Sequence, residues 1–373
     1  MKLKSKFISI FTVLTLLLTT IFTGFAYSEG VTKIAYIEND PYFNYTGTFY
    51  GILKGLDDLD LIDVVSSLDY EIGDEDSKAI WQVISKRSSS DIEFVDDAFF
   101  SLLMQTKEEQ AAMLSRIAAG EFDLIFVMGT KAGKFASENI KNTPVMVFST
   151  SNAVGAGIID SAMDSGEDNL WAHVDSTRYY RQLDVFFDTF KFEKLGVVFE
   201  DTDSGRDLAA IPTIYKFAEE KNFEVVEKYV REAESEEDQA RYDLELKAAY
   251  KEISKEVDAV YLTPGSRDTK KTYEYLESFY DENIPVFSQV GNLEVERGAL
   301  FSVYRFNYDE IGAFGASQAR RVMEGENIRE LEQEFGETPS ISINIEVARI
   351  IGYKFSIDVL LVTDKMFPKI IKE

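Results

Sequence analysis

The chain has 373 residues, of which 45% are hydrophobic and 28% charged, with a formal net charge of −27, one histidine and no cysteine. This is the composition of a folded protein with apolar material for two cores. Its acidity argues against nucleic acid or an anionic lipid surface as partner, and the missing thiol excludes disulfides, thiolate metal sites, a cysteine nucleophile and a lipid-modified cysteine.

In chain order, Lys2, Lys4 and Lys6 precede an uncharged, Thr-rich apolar run from Phe7 to Phe25, followed by small residues suited to cleavage at Gly24, Ala26 and Ser28. Residues 1–28 are expected to be a signal peptide rather than an anchor, because a spanning helix needs about 20 apolar residues and Thr and Ser break this run. The remainder is expected in the periplasm or secreted, freely diffusing.

Beyond that point, short runs at 34–37, 124–128, 145–148, 195–199, 259–262 and 286–287 are apolar throughout and read as strands buried on both faces. Amphipathic stretches lie between them, including 108–120, which closes on Gly120, and 207–222. The alternation predicts an α/β, doubly wound fold with parallel sheets. Three segments also recur in the same order. "KIAYIEND" from Lys33 is matched by "KLGVVFED" from Lys194, "FDLIFVMGT" from Phe122 by "VDAVYLTPG" from Val257, and "NTPVMVFSTSNAVGAG" from Asn142 by "NIPVFSQVGNLEVERG" from Asn283. Two similar domains follow.

Ligands in such folds bind beyond the carboxyl ends of the strands, where loop amides and helix N-termini point. The runs end in "ENDPYFNY", "GTKAG", "STSN", "EDTDSG", "TPGS" and "SQVGN", all polar or small enough to serve as binding loops. Six such loops on two equivalent halves predict a cleft between lobes.

The order of the halves, with the segments "PVMVFSTSNAVGAG", "IPVFSQVGNLEVERGALFSVYRFNYDEIG", "RRVMEGENI" and "ISINIEVARIIGY", resembles the ABC-transporter substrate-binding family of type I periplasmic-binding-protein fold, which includes tryptophan and tyrosine binders. The resemblance spans essentially the whole chain after the signal and is strongest over 258–353. It implies two Rossmann-like lobes with parallel sheets joined by a three-crossover hinge. The implied lobes are 29–152 plus 308–335 and 153–303 plus 338–373, with crossovers near 153–175, 300–307 and 336–341. It further implies a monomer without a cofactor that closes on a small-molecule ligand and delivers it to an ABC permease.

Family positions lining the cleft map onto Thr130, onto Ser149, Thr150, Ser151 and Asn152, onto Ser266, and onto Asn292, and Gln289 of the loop "SQVGN" is a further candidate. By that resemblance the Thr130 and Ser151 hydroxyls, with nearby amides, are expected to hold a ligand carboxylate. The chain also departs from its relatives. It has "NAV" where amino-acid binders often carry Asp-Pro, and "TPGS" where they carry an Asp. A buried ligand ammonium needs a carboxylate beside it. Glu38, Asp40, Glu200 or Asp201 could supply one; alternatively the ligand lacks an amine.

Of the aromatic residues after the first strand, Tyr42 and Phe43 are expected to form a stacking wall, and Tyr45, Phe49 and Tyr50 to pack under the first helix. Trp171 suits either the cleft or hinge packing. "DTDSGRD" departs from calcium-loop spacing and reads as a strand-to-helix loop capped by Asp203 or Ser204. His173, the single histidine, reads as an exposed or hinge residue. The expected function is an extracytoplasmic solute-binding protein of an ABC importer. The alternatives are a ligand sensor for a membrane receptor and, last, a hydrolytic enzyme.

Overall fold

The computed structural model describes residues 30–87, 89–233, 235, 238–303, 307–336 and 338–372; the expected signal peptide lies outside them. Strands β1 (Thr32–Glu38), β2 (Ile92–Ser101), β3 (Leu124–Met128), β4 (Val145–Phe148) and β5 (Leu170–Ala172) form one parallel sheet in the order β2-β1-β3-β4-β5. A second sheet contains β6 (Lys194–Glu200), β7 (Glu224–Val230), β8 (Ala259–Leu262), β9 (Val286–Ser288), β10 (Phe301–Ser302), β11 (Ser342–Asn344) and β12 (Lys365–Phe367) in the order β12-β11-β10-β9-β8-β6-β7. Among the described residues of this sheet, only the β10–β11 pair is antiparallel.

The first sheet is flanked by α1 (Phe43–Asp58), α2 (Ser77–Ile84), α3 (Lys107–Ala118) and α4 (Thr130–Asn139). The second is flanked by α5 (Arg178–Phe190), α6 (Asp203–Leu208), α7 (Ile211–Lys221), α8 (Gln239–Ile253), α9 (Thr272–Tyr275), α10 (Glu277–Asp281) and α11 (Asn292–Glu296). Then α12 (Tyr308–Met323) returns to the first sheet, and α13 (Ile345–Ile350) and α14 (Ile357–Leu361) to the second.

The matched segments are the strand pairs β1/β6, β3/β8 and β4/β9, which hold equivalent places in the two sheets. Their matched aspartates do the same work. Asp123 accepts the Lys33 amide at 2.8 Å, and Asp258 accepts the amides of Glu193 and Lys194 at 3.1 and 3.0 Å, so each fixes the start of its lobe's first strand. The strands read as unbroken apolar runs because both faces are covered: every residue of β3, β4 and β8 is buried.

The helix expected at 108–120 begins with a capping box between Thr106 and Glu109. The one expected over 207–222 is two helices, broken at Ala210, which has φ 55°. Pro212 explains the break: it has no N–H to donate and its ring would meet the carbonyl of Leu208 in a continuous helix. The cap of α6 also differs from expectation. Thr202, not Asp203 or Ser204, receives the Gly205 amide at 2.9 Å.

Lobe 1 is closed by the packing of α12 on α1. Gly47, Gly51 and Gly55 line one helix, facing Tyr308, Gly312 and Ala316 of the other; a Cβ on Gly51 would stand 2.0 Å from the Tyr308 carbonyl oxygen. The boundary expected after Asn152 falls later. Ile158, Ile159 and β5 belong to the first core, so the chain leaves lobe 1 only beyond Ala172. Trp171 is fully buried there, its indole N–H donating to the Glu332 carbonyl at 2.8 Å.

At the hinge, the first and third crossovers run side by side. Val174 N–H donates to the Gln333 carbonyl and the Phe335 N–H to the Val174 carbonyl, both at 2.8 Å. His173 is a hinge residue, buried between Phe314 and Phe335, with a ring nitrogen 3.0 Å from the Phe335 carbonyl oxygen. Burial holds its pKa down at about 4.

Candidate functional site: the cleft between the lobes

Loops at the carboxyl ends of the two sheets meet. Phe43, after β1, and Tyr308, at the start of α12, are both buried and form a small apolar cluster with Tyr42; Val290 of the β9–α11 loop and Leu293 of α11 pack against it. Tyr42 has its ring centroid 4.6 Å from Phe43 and 5.1 Å from Tyr45. The wall of Tyr42 and Phe43 therefore faces lobe 2, while Phe49 is fully buried in lobe 1 and Tyr50 stacks on Tyr70. Gly129, at φ 89°, starts α4 close beneath this wall. A Cβ there would lie 2.1 Å from the Tyr45 hydroxyl oxygen, so only glycine fits.

The residues after β4 form a second crossing point. Thr130 and Ser151 are brought together, with the Ser151 amide donating to the Thr130 hydroxyl at 3.3 Å. The Ser151 carbonyl then accepts the Tyr179 hydroxyl at 3.0 Å, and the Thr150 carbonyl accepts from Arg178 at 3.3 Å. Both donors sit at the N-terminus of α5, in lobe 2, so this loop is a latch between lobes. An exposed pair farther out, Lys131 with Glu232 at 3.5 Å, adds little.

Several expected site residues are engaged within their own lobe. Ser149, with φ 55°, turns its hydroxyl to Thr48 of α1 at 2.8 Å. Asn152 accepts the Gly155 amide at 2.8 Å, closing a turn. Asp40 accepts from the Asn39 side chain at 2.7 Å, and Asp201 is exposed. Ser266 donates to Glu200 through its amide at 2.7 Å and its hydroxyl at 2.5 Å. Gln289 donates to the Leu208 carbonyl at 2.7 Å, leaving its Oε1 buried without a partner among the described residues. Asn292 opens α11 and is half-buried.

Glu38 is 2% exposed and accepts the Tyr36 hydroxyl at 2.9 Å. Burial raises its pKa to about 7, against hydrogen bonds from Tyr36 and Ser77 that favour the charged form. It is a poor standing anion for a ligand amine.

Sequence reasoning passed over Arg178 and Tyr179, and also an ion pair between Arg267, beyond β8, and Glu294, on α11. Their side chains are 4% and 1% exposed. One Glu294 oxygen meets Arg267 and the other accepts the Ser288 hydroxyl at 2.6 Å. Arg267 also donates to the Thr263 carbonyl, while its buried Nε has no partner among the described residues. Taking two such ions out of water costs several kcal/mol each. The pair stands close to the aromatic wall: burial pushes the Tyr42 hydroxyl pKa well up, the Glu294 charge raises it further and Arg267 lowers it. The two residues are 27 positions apart, and no motif joins them.

Two α/β lobes, joined by a laced hinge, meet through the loops at the carboxyl ends of their sheets. Residues 101–366 match the family described as ABC transporter substrate binding protein, and the chain belongs to that family. It is a family of substrate-binding proteins, not of enzymes.

A tyrosine-binding protein of Clostridioides difficile (strain R20291) is 22% identical over 227 residues, which is 59% of this chain and 60% of that protein's length. The fold is similar to that of an ABC domain from Streptococcus pneumoniae in complex with L-Trp (TM-score 0.66, 16% identity, 90% of this chain and 99% of the other). It is also similar to the ligand-free, open structure of a substrate-binding protein with adhesive properties from Clostridium difficile (TM-score 0.65, 17% identity, 91% and 100%). The expected fold class, two lobes of mostly parallel sheet in the type I arrangement, is the one observed.

Proposed function

We propose that the chain captures a small molecule bearing a flat ring, an aromatic amino acid or a related carboxylate, between its lobes and presents it to an ABC permease. In this reading residues 1–28 direct export, the remainder acts as an extracytoplasmic monomer, and closing of the hinge traps the ligand. No helix among the described residues is long and apolar enough to cross a membrane.

The carrying observation is the wall of Tyr42, Phe43 and Tyr308 against Val290 and Leu293. A ring inserted there gains aromatic contacts with lobe 1 and apolar contacts with lobe 2, so it stabilises the closed form over the open one. The relatives that bind tyrosine and L-Trp fit this chemistry.

The test is a thermal-shift series on the chain after unfolding and refolding to strip bound ligand, with aromatic amino acids, aromatic carboxylates, sugars and nucleosides. A ligand at about 100 times its Kd adds about 2.7 kcal/mol, which raises the midpoint by several degrees. Aromatic carboxylates are expected to give the shift, and Tyr42→Ala to abolish it. A shift from sugars or nucleosides alone would refute the reading.

A further inference from the structure

We propose that Arg267 and Glu294 are the head-group site of the cleft, with Glu294 receiving the α-ammonium and Arg267 the α-carboxylate of a zwitterionic amino acid. The inference rests on the ring-binding reading above and deepens it by naming the ligand's charge.

Position supports it first. Both residues lie on lobe-2 loops beyond strand ends, Arg267 after β8 and Glu294 after β9. Leu293, the immediate neighbour of Glu294, packs against Phe43 and Tyr308, and the charges of both ions reach the Tyr42 hydroxyl. A ring on that wall lies against the helix that carries Glu294.

Bonding supports it second. Arg267 keeps one buried donor, Nε, without a partner among the described residues, and unpaired buried donors are costly. The Glu294 oxygens are held by Arg267 on one side and Ser288 on the other, whereas a carboxylate has about four acceptor positions. The pair thus has unused capacity of both kinds, a donor for an anionic oxygen and an acceptor for a cationic N–H. An α-amino acid carries those complements on one carbon, and its opposite charges laid against Arg267 and Glu294 keep the buried site neutral.

Elimination supports it third. Of the four carboxylates expected to replace the missing aspartates, burial raises the Glu38 pKa to about 7 and Asp201 is exposed, while Asp40 bonds to Asn39 and Glu200 to Ser266. Glu294 is held in place by Arg267 on one oxygen and Ser288 on the other. The Thr130 hydroxyl accepts the Ser151 amide, and the Ser151 carbonyl accepts Tyr179 in the latch.

The experiment is a cycle between ligand and protein on the refolded chain, by calorimetry with L-tryptophan, indole-3-propionate, which lacks the amine, and tryptamine, which lacks the carboxylate. The wild-type chain is expected to bind L-tryptophan at least about 100-fold more tightly than either analogue, since removing one member of a buried charge contact costs that much or more. Glu294→Gln is expected to weaken L-tryptophan by a similar factor and leave indole-3-propionate nearly unchanged, so that the preference for the amine collapses.

Equal weakening of both ligands by Glu294→Gln would reduce the pair to a structural brace and overturn the inference. Should Glu294→Gln fail to fold, the wild-type series still decides. Indole-3-propionate binding as tightly as L-tryptophan sinks the head-group assignment while the ring-binding reading stands. Binding of none of the three, with a shift from a sugar or nucleoside, sinks both.

Discussion

The two lobes share a strand order and differ in the chemistry they bring to the cleft. Sheet β2-β1-β3-β4-β5 and its counterpart β7-β6-β8-β9-β10 place matched strands in matched positions, and Asp123 and Asp258 brace them alike. Yet lobe 1 offers rings and hydroxyls, Tyr42, Phe43, Thr130 and Ser151, whereas lobe 2 offers a buried ion pair, Arg267 and Glu294, and the latch donors Arg178 and Tyr179. A shared frame fixes where loops emerge and leaves their side chains free to diverge, so the halves can divide recognition between ring and head group.

The lobes also differ in how they are assembled, and the sharpest test attacks that difference. Lobe 1 depends on α12, a helix returning after lobe 2, and the two backbones touch at Gly51 and Gly312. Gly51→Val must push them apart, since even its Cβ would lie 2.0 Å from a carbonyl oxygen. A loss of more than about 3 kcal/mol is expected, well above the helix-propensity difference. Amide exchange should accelerate across lobe 1 and stay slow in lobe 2. Uniform loosening of both lobes would show that they fold as one unit.

Glu38, the acid that closes β1, gives the next test. Burial raises the Glu38 pKa from 4.5 to about 7, so the folded chain binds this proton more tightly than the unfolded chain. The stability it permits is fully present below about pH 4.5 and is lost as pH rises through about 7, a window worth at most about 3 kcal/mol. Glu38→Gln, which can still accept the Tyr36 hydroxyl, should stabilise the chain most at pH 8 and hardly at pH 4. Denaturant unfolding of both chains at the two pH values measures this, and an equal effect at both would place the ionised form comfortably in the fold.

How much of this was legible in the sequence follows the same division. Strands buried on both faces write unbroken apolar runs, and three such runs per half are enough to make the repeat visible. The end of lobe 1 was not legible, because β5 is three residues long and follows a long loop, leaving no periodic signal. Side-chain directions were not legible either. Tyr42 and Phe43 were found because rings in a loop are conspicuous, but Asn152 turns into its own loop, Ser149 turns toward α1, and Arg267 meets Glu294 only because β8 and β9 are neighbours in the sheet.

The braces that the halves share should respond to matched substitutions in proportion to their bonds. Asp258 holds two strand-initiating amides and Asp123 one, all at exposed positions. Asp258→Ala is expected to cost about 1.5–2 kcal/mol and Asp123→Ala about 1 kcal/mol, within the range for hydrogen bonds to charged groups reduced by solvent. Equal costs in denaturant unfolding would mean that the second amide contributes nothing and that the braces are interchangeable.

The smallest effect expected concerns the contact that joins the lobes. Tyr179→Phe removes one hydroxyl, and with it the 3.0 Å bond to the Ser151 carbonyl, while leaving the ring in place. One neutral hydrogen bond contributes about 1 kcal/mol, and this one joins the two lobes, so if they part on opening its loss shifts the open–closed balance by about fivefold. Ligand affinity should fall by about that factor through faster release, with unfolding midpoints unchanged because neither core is touched. Scattering from the ligand-free chain should show a larger radius of gyration for the variant. An unchanged radius with weakened binding would instead mean that the Tyr179 hydroxyl touches the ligand itself, moving it from the latch into the site.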